Sequence, residues 1–365
     1  MSVTQSLCEE LPYWEFESEP ISHVILSDGS VSSGIEILPL DIECFDESRI
    51  NQLTLGLRSF VNSLPEGITC QFMVKVETDF EQKIDSHLKL VTTNIDFLKT
   101  LDDARAENIK SQIQEDSVFR PRLFFFIKTE GAQKPSRFSL SQTKKFSEGF
   151  EKGYEDRLQI LSQAIEGASQ SLTSLGFLGS SLNKEDLIEL LYRYLNPKRA
   201  KETTPPKISP RSALLEGDSP RSQIVFGDLI LDQEDFILDS MRTRVLTLKT
   251  LPEMTFAGMM SGFLALPFKY ELFFSFKIPE QAKEMKSLEQ KRRLAHSLAS
   301  STSNRVTDLE SESRLSQTTE LIREIIETGQ RIFQAELMIV LREPVNSEGL
   351  RRLNLHTKQV LSHFK

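Results

Sequence analysis

Apolar and polar positions recur along this chain regularly enough to place most of its elements. ESRINQLTLGLRSFVNSL at 47–64 sets Ile50, Leu53, Leu57, Phe60, Val61 and Leu64 at helical spacing, after a short strand pattern, IEILPLD, at 35–41. A Pro65–Gly67 turn follows, and ITCQFMVKVE at 68–77 reads as a strand. Ile84, Leu88, Val91, Ile95, Leu98 and Leu101 continue a helical pattern to about residue 115. RLFFFIKT at 122–129, short and aromatic between Pro121 and Gly131, suits a buried strand.

From 141 to 178 the spacing predicts a long helix through Phe146, Phe150, Leu158, Leu161, Ile165, Leu172 and Leu175. Asn183 caps the next helix, with Asp186 at its third position and Leu187, Leu190, Leu191, Tyr194 and Leu195 as its apolar stripe. Pro197 biases Asn196 away from helical torsions and ends that helix. Residues 198–222 hold four prolines, several serines and six Lys or Arg against three acids, the composition of a linker or mobile loop.

Beyond it, strands are expected at 221–232, 243–252, 270–279 and 333–343. Helices are expected at 254–266, 280–300, from a Ser/Thr-rich break near 300–308 to about 331, and from about 347 onward. Gly258 and Gly262 each weaken the first of these by about 1 kcal/mol relative to Ala. The organisation is thus a first half at 1–197, a basic Pro-rich linker at 198–222 and a second half at 223–365.

The two halves share an element order. Overlaid without a gap, Leu64-Pro65 falls on Leu266-Pro267, Phe72 on Phe274, Lys75 on Lys277 and Val76 on Ile278. The match is short, and coincidence accounts for it as well as duplication does. The expected fold class is α+β, two related sandwich-like halves, each packing helices on one face of a mixed sheet.

Composition narrows the functions. At 365 residues with 39% hydrophobic content the chain can build real cores and is long enough for two or three domains. A net charge of −9 and a pI near 5.3 argue against a general phosphate-binding surface, so direct nucleic-acid binding is not expected. Cys8, Cys44 and Cys70 form no CxxC pair and have no nearby His, which supports neither a disulfide framework nor a zinc site. The N-terminus lacks a signal-peptide pattern, and the longest apolar runs, about thirteen residues, fall short of the roughly 20 that span a bilayer.

Catalytic chemistry has little foothold. Gly-Lys does not occur, so there is no phosphate loop, and GFEKGYED at 149–156 sits inside a helical pattern. His23, His87, His296, His356 and His363 lie far apart without HxxxH or HExxH spacing and read as surface or half-buried helix residues. GSS at 179–181 reads as loop ahead of the Asn183 cap, and acids such as Glu185, Asp186, Glu324 and Glu327 read as helix-start or solvent-face charges. The cluster Lys291, Arg292 and Arg293 follows Glu280, Glu284 and Glu289 on one helix and reads as a solvated face, with a partner-binding ridge as the rival. No catalytic, cofactor-binding or metal-ligating residue is assigned.

Five motifs in order carry a resemblance: ELPYWEF (10–16), LSDGS (26–30) with a following strand, LYRYLNP (191–197), RVLTLKTLPEMTFAGMMSGFLALPF (244–268) and EQAKEMKSLEQKRRLA (280–295). Together they resemble the N-terminal domain of the TraC-type conjugative transfer ATPases of type IV secretion systems, from about residue 8 to the end. In that family the region precedes a RecA-like motor, and here the chain stops at HTKQVLSHFK before one begins, so ATP and Mg are expected on the missing motor alone. The resemblance implies a non-catalytic scaffold or docking region, cytoplasmic and peripheral to the bacterial inner membrane. Its expected partners are inner-membrane secretion components and the motor domain or full-length ATPase subunits, with homo-oligomers once joined to the motor. An ATP-binding protein with a non-standard site and an unrelated soluble adaptor are the alternatives. Tyr192 and Tyr194 are expected to pack or to line a subunit contact.

Overall fold

The computed structural model describes residues 7–364 apart from 43, 78–79, 91–94, 115–118, 132–142, 209–219, 251, 253–254, 257 and 301–308. A short helix α1 (Leu7–Glu10) precedes strands β1 (Tyr13–Glu17), β2 (His23–Leu26) and β3 (Val31–Leu38). Then come α2 (Glu47–Ser63), β4 (Ile68–Glu77), a helical hairpin α3 (Glu81–Leu90) and α4 (Asp96–Gln114), β5 (Arg120–Thr129) and α5 (Thr143–Ser174). A connecting region follows: β6 (Leu178–Ser181), α6 (Lys184–Leu195), a 3-10 turn at Arg199–Lys201 and α7 (Pro220–Ile224). The remaining elements are β7 (Leu229–Leu231), β8 (Phe236–Leu238), β9 (Met241–Thr247), α8 (Ser261–Leu264), β10 (Glu271–Ile278), α9 (Gln281–Ser300), α10 (Leu309–Thr328), β11 (Gln334–Pro344) and α11 (Ser347–Ser362).

The eleven strands of the described residues join one sheet in the order β1-β2-β3-β5-β4-β10-β11-β9-β8-β7, with β6 beside β3. Every pair is antiparallel, which replaces the expected mixed sheet, and both halves contribute to this sheet instead of closing separate sandwiches. The join is made by β4 and β10, which pair with each other without a break from Glu271↔Lys75 to Ile278↔Ile68.

Read outward from that pair, the halves mirror each other. β4, β5, β3, β2 and β1 correspond in sequence order and position to β10, β11, β9, β8 and β7. Phe72 pairs with Phe274, Gln71 with Ser275 and Met73 with Phe273, so a two-fold axis through Phe72–Phe274 exchanges the strands. The shift of 202 residues that carries Phe72 onto Phe274 is the one that superposes Leu64-Pro65 on Leu266-Pro267. The two helical hairpins also correspond, one between β4 and β5 and the other between β10 and β11.

Helices cover both faces, not one. On one face α2 and α5 bury Phe60, Leu161, Ile165 and Leu172 against Ile35, Cys70, Phe125 and Ile278. In the second half α8 and α11 bury Phe263, Leu353 and Val360 against Leu272, Ile339 and Leu341. The opposite face is closed by α6, whose Leu187, Ile188 and Leu195 pack on Met73, Phe124, Phe273 and Val340 from both halves. Each such fully buried side chain contributes about 1.5–3 kcal/mol, so α6 fastens the halves as well as covering them.

Several expectations are corrected. The long helix expected around 84–115 is a hairpin with its own small core of Ile84, Ala106 and Ile113. The strand expected at 221–232 begins as α7, with Pro220 at its first position, where a missing N–H costs nothing, and is extended only at Leu229–Leu231. The helix expected at 254–266 is helical, among its described residues, only at Ser261–Leu264. Part of the Pro-rich segment, 209–219, lies outside the described residues, as does the Ser/Thr-rich break at 301–308.

Candidate functional site

α6 is built by the signals its sequence carries. Asn183 Oδ1 accepts from Asp186 N at 2.8 Å, and an Asp186 carboxylate oxygen accepts from Asn183 N at 3.0 Å, closing a capping box. At the other end Asn196 is fully buried and satisfies both halves of its amide. Its Nδ2 donates to the carbonyls of Tyr192 (2.9 Å) and Ile224 (2.7 Å), and its Oδ1 accepts from Phe226 N (2.9 Å). The helix end is therefore tied to the start of the second half. Tyr192 is buried and its hydroxyl meets Thr203 Oγ1 at 2.6 Å, a packing role and not a subunit contact. Tyr194 packs edge-on against Phe273 and carries the Arg342 guanidinium 4.3 Å above its ring. Burial pushes the Tyr194 phenol up, with the Arg342 charge opposing.

Where α6 ends over the sheet, a cleft of ≈460 Å³ opens at the ends of β4, β5, β9, β10 and β11. Seven Lys or Arg side chains line it against four Glu, an excess of three positive charges in a chain whose net charge is −9. Each guanidinium is occupied by the chain's own carboxylates. Arg122 grips Glu36 through two bonds (2.7 and 2.9 Å) and Glu77 through a third (3.0 Å), which raises its already high pKa. Arg193 Nε donates to Glu189 at 2.8 Å, and Arg342 contacts both oxygens of the buried Glu271 at 3.3 Å. Arg352 meets Glu343 at 2.8 Å, and His356 stacks on Phe268 at 4.0 Å with Nδ1 3.4 Å from the same Glu343.

Lys75 differs. It lies between Arg122 on β5 and Glu271 on β10 as their register partner. Among the described residues, no carboxylate comes within ion-pairing distance of its ammonium. Desolvation lowers its pKa, Glu271 and Glu77 push it back up, and Arg193 and Arg122 lower it further.

Other candidates disperse. His23 is buried in β2, not on a helix: Nδ1 bonds the Ile21 carbonyl at 2.7 Å and Nε2 the Tyr154 hydroxyl at 2.8 Å. Since a carbonyl only accepts, Nδ1 carries the proton and Nε2 accepts from Tyr154. His87 and His296 lie on α3 and α9, and His363 stands at the end of α11. Lys291, Arg292 and Arg293 are exposed on α9, as a solvated face requires, and residues 179–181 form part of β6 instead of a loop. Among the described residues no group of three His, Cys, Asp or Glu is placed to hold a metal. Burial pushes the Cys70 thiol up to about 12, so this cysteine is held as an unreactive core residue.

These features define an α+β protein of repeated topology, with one antiparallel sheet, helices on both faces and a charge-lined cleft at the sheet's end. The chain belongs to the TraC protein family, whose model matches residues 7–363, and so to the proteins of conjugative transfer. No curated protein matches the chain. No helix among the described residues is long and apolar enough to cross a membrane.

Proposed function

We propose that this chain is the scaffold and docking region of a conjugative transfer ATPase of a type IV secretion system, itself non-catalytic. In this reading it associates with the inner-membrane channel complex, lies peripheral to that membrane and helps assemble ATPase subunits. The observation that carries the reading is the family match across 357 residues, 7–363, of a chain without a Gly-Lys phosphate loop. The frame supports it: a sheet zipped through its centre is rigid, while α3–α4 and α9–α10 stand between strands as hairpins whose helices pack chiefly on each other. Their surfaces leave Leu90, Phe97, Leu294 and Ile326 more than half exposed.

The test is affinity capture of the tagged chain from cells expressing its transfer system, after mild solubilisation of the membranes. Inner-membrane transfer components and a polypeptide carrying a phosphate-loop motor are the expected companions. Recovery of neither would overturn the docking role. Isothermal titration with ATP and Mg is expected to give no saturable heat, and micromolar binding would return the nucleotide-site alternative.

A further inference from the structure

We propose that the cleft at the sheet's end recognises a single carboxylate carried on an apolar body, supplied by a peptide segment of a partner, with Lys75 as the cation that receives it. The source of the peptide rests on the docking role proposed above, whereas the chemistry rests on the cleft alone.

Charge sets the class of ligand. A phosphate carries nearly two charges and is held by several cationic donors together, the paired N–H groups of arginine chief among them. Each of the four cleft arginines already holds a carboxylate of the chain, among Glu36, Glu77, Glu189, Glu271 and Glu343, and the Nε atoms of Arg342 and Arg352 that remain unbonded are buried. Of the three lysines that line the cleft, Lys201 and Lys269 have partners of their own, and Lys75 is left as the ammonium whose carboxylate neighbours lie beyond contact. One ammonium matches one carboxylate. The walls set the rest, since Met241, Pro267, Phe268, Val340 and Pro344 supply apolar surface beside it. A volume of ≈460 Å³ holds one or two amino-acid residues and lies within the usual range for small-ligand sites.

Protonation follows from the same geometry. The groups facing Lys75 are Glu271 on β10, Glu77 on its own strand, Arg193 on α6 and Arg122 on β5. Desolvation leads the lowering of its pKa, and a bound carboxylate supplies the counter-charge that reverses it. Binding therefore takes up protons at alkaline pH and weakens as pH rises toward the ordinary lysine value of 10.5.

The experiment titrates the full chain with N-acetyl-leucine, a carboxylate on an apolar body, while methyl resonances of Val76, Met241 and Val340 are followed by NMR. Saturable shifts are expected, at least tenfold weaker with uncharged N-acetyl-leucinamide and in the Lys75→Met and Lys75→Gln variants, and partly kept in Lys75→Arg. Far-UV circular dichroism confirms that each variant is folded. The proposal fails if N-acetyl-leucine produces no saturable shift, if the amide binds as well as the acid, or if both neutral variants bind like the parent. It fails equally if inorganic phosphate or ATP competes more tightly than N-acetyl-leucine, which would make the cleft a phosphate site. If N-acetyl-leucine binds while affinity capture finds no membrane partner, the docking role falls and the pocket stands.

Discussion

Phe72 and Phe274 are register partners at the centre of the sheet, and they are also the residues that a gapless overlay of the two halves superposes. A ladder register and a sequence shift are independent quantities, and only a two-fold axis through that pair satisfies both. Phe72 further packs on Phe125 at 4.6 Å and stacks on Phe276 at 6.3 Å, so the axis is held by aromatic contacts. Phe72→Ala is expected to cost about 3 kcal/mol, read from the urea midpoint. A cost below about 1 kcal/mol would mean that the axis is not a packing centre.

The edge of β4 that faces β10 is covered only by the other half. A fragment of residues 1–197 exposes that row of backbone donors and acceptors, and open, flat edges pair with one another. Size-exclusion chromatography with light scattering is expected to find the fragment as dimers or larger species. A stable, soluble monomer would contradict the dependence of β4 on β10.

Asn196 makes three hydrogen bonds in a fully buried site. Asn196→Leu removes the side-chain partners of the Ile224 carbonyl and the Phe226 N–H, while the Tyr192 carbonyl keeps its bond from Asn196 N, and about 2–4 kcal/mol of stability should be lost. Asn196→Asp is the sharper variant, because only the protonated acid can donate to a carbonyl there. The acid's folded pKa is then raised, and stability should fall as pH rises through the carboxylate range. Thermal melts of the variant between acidic and neutral pH measure the slope, and a melting temperature independent of pH would refute the donor role.

His23 runs the other way. Burial lowers its pKa below the ordinary 6.5, so the unfolded chain takes up a proton before the folded one does. Its contribution is full above 6.5 and is lost as pH drops through the window between 6.5 and the folded value. Urea melts of parent and His23→Gln across that window are expected to converge at the acidic end. A constant gap would show that His23 keeps its ordinary titration.

Lys75 is held at the cost of desolvation, so the folded protein binds its proton more weakly than the unfolded chain. Stability should therefore rise with pH between the depressed value and 10.5. Lys75→Met should remove that slope and add up to about 1 kcal/mol at neutral pH. A variant less stable than the parent would mean that Glu271 and Glu77 already repay the burial.

Elements whose period is strong and whose ends are punctuated were legible from sequence. β4 matches its expected span of 68–77, and α6 begins at its cap and ends before Pro197. The short outer strands were not. β8 has three residues and β2 four, too few for a period to show, and they exist because a neighbour offers a ladder. FAGMMSGFLAL reads as a helix on apolarity alone, yet Gly258 turns left-handed at φ 85° and helix starts only at Ser261. The cleft was illegible for a different reason. Lys75 is one polar position in an alternating strand, and Arg342 and His356 reach it only through a strand order that no local pattern encodes.

The two helical hairpins occupy equivalent stations about the Phe72–Phe274 axis, yet they have diverged in charge. α3 carries two acids against two bases, and its counterpart α9 carries two acids against five bases. A true homodimer must present each surface twice, and whatever grips one arm must grip the other. Joining the copies in a single chain lifts that obligation. Each arm is free to acquire its own allegiance, and a nearly symmetric body becomes able to tell one side from the other.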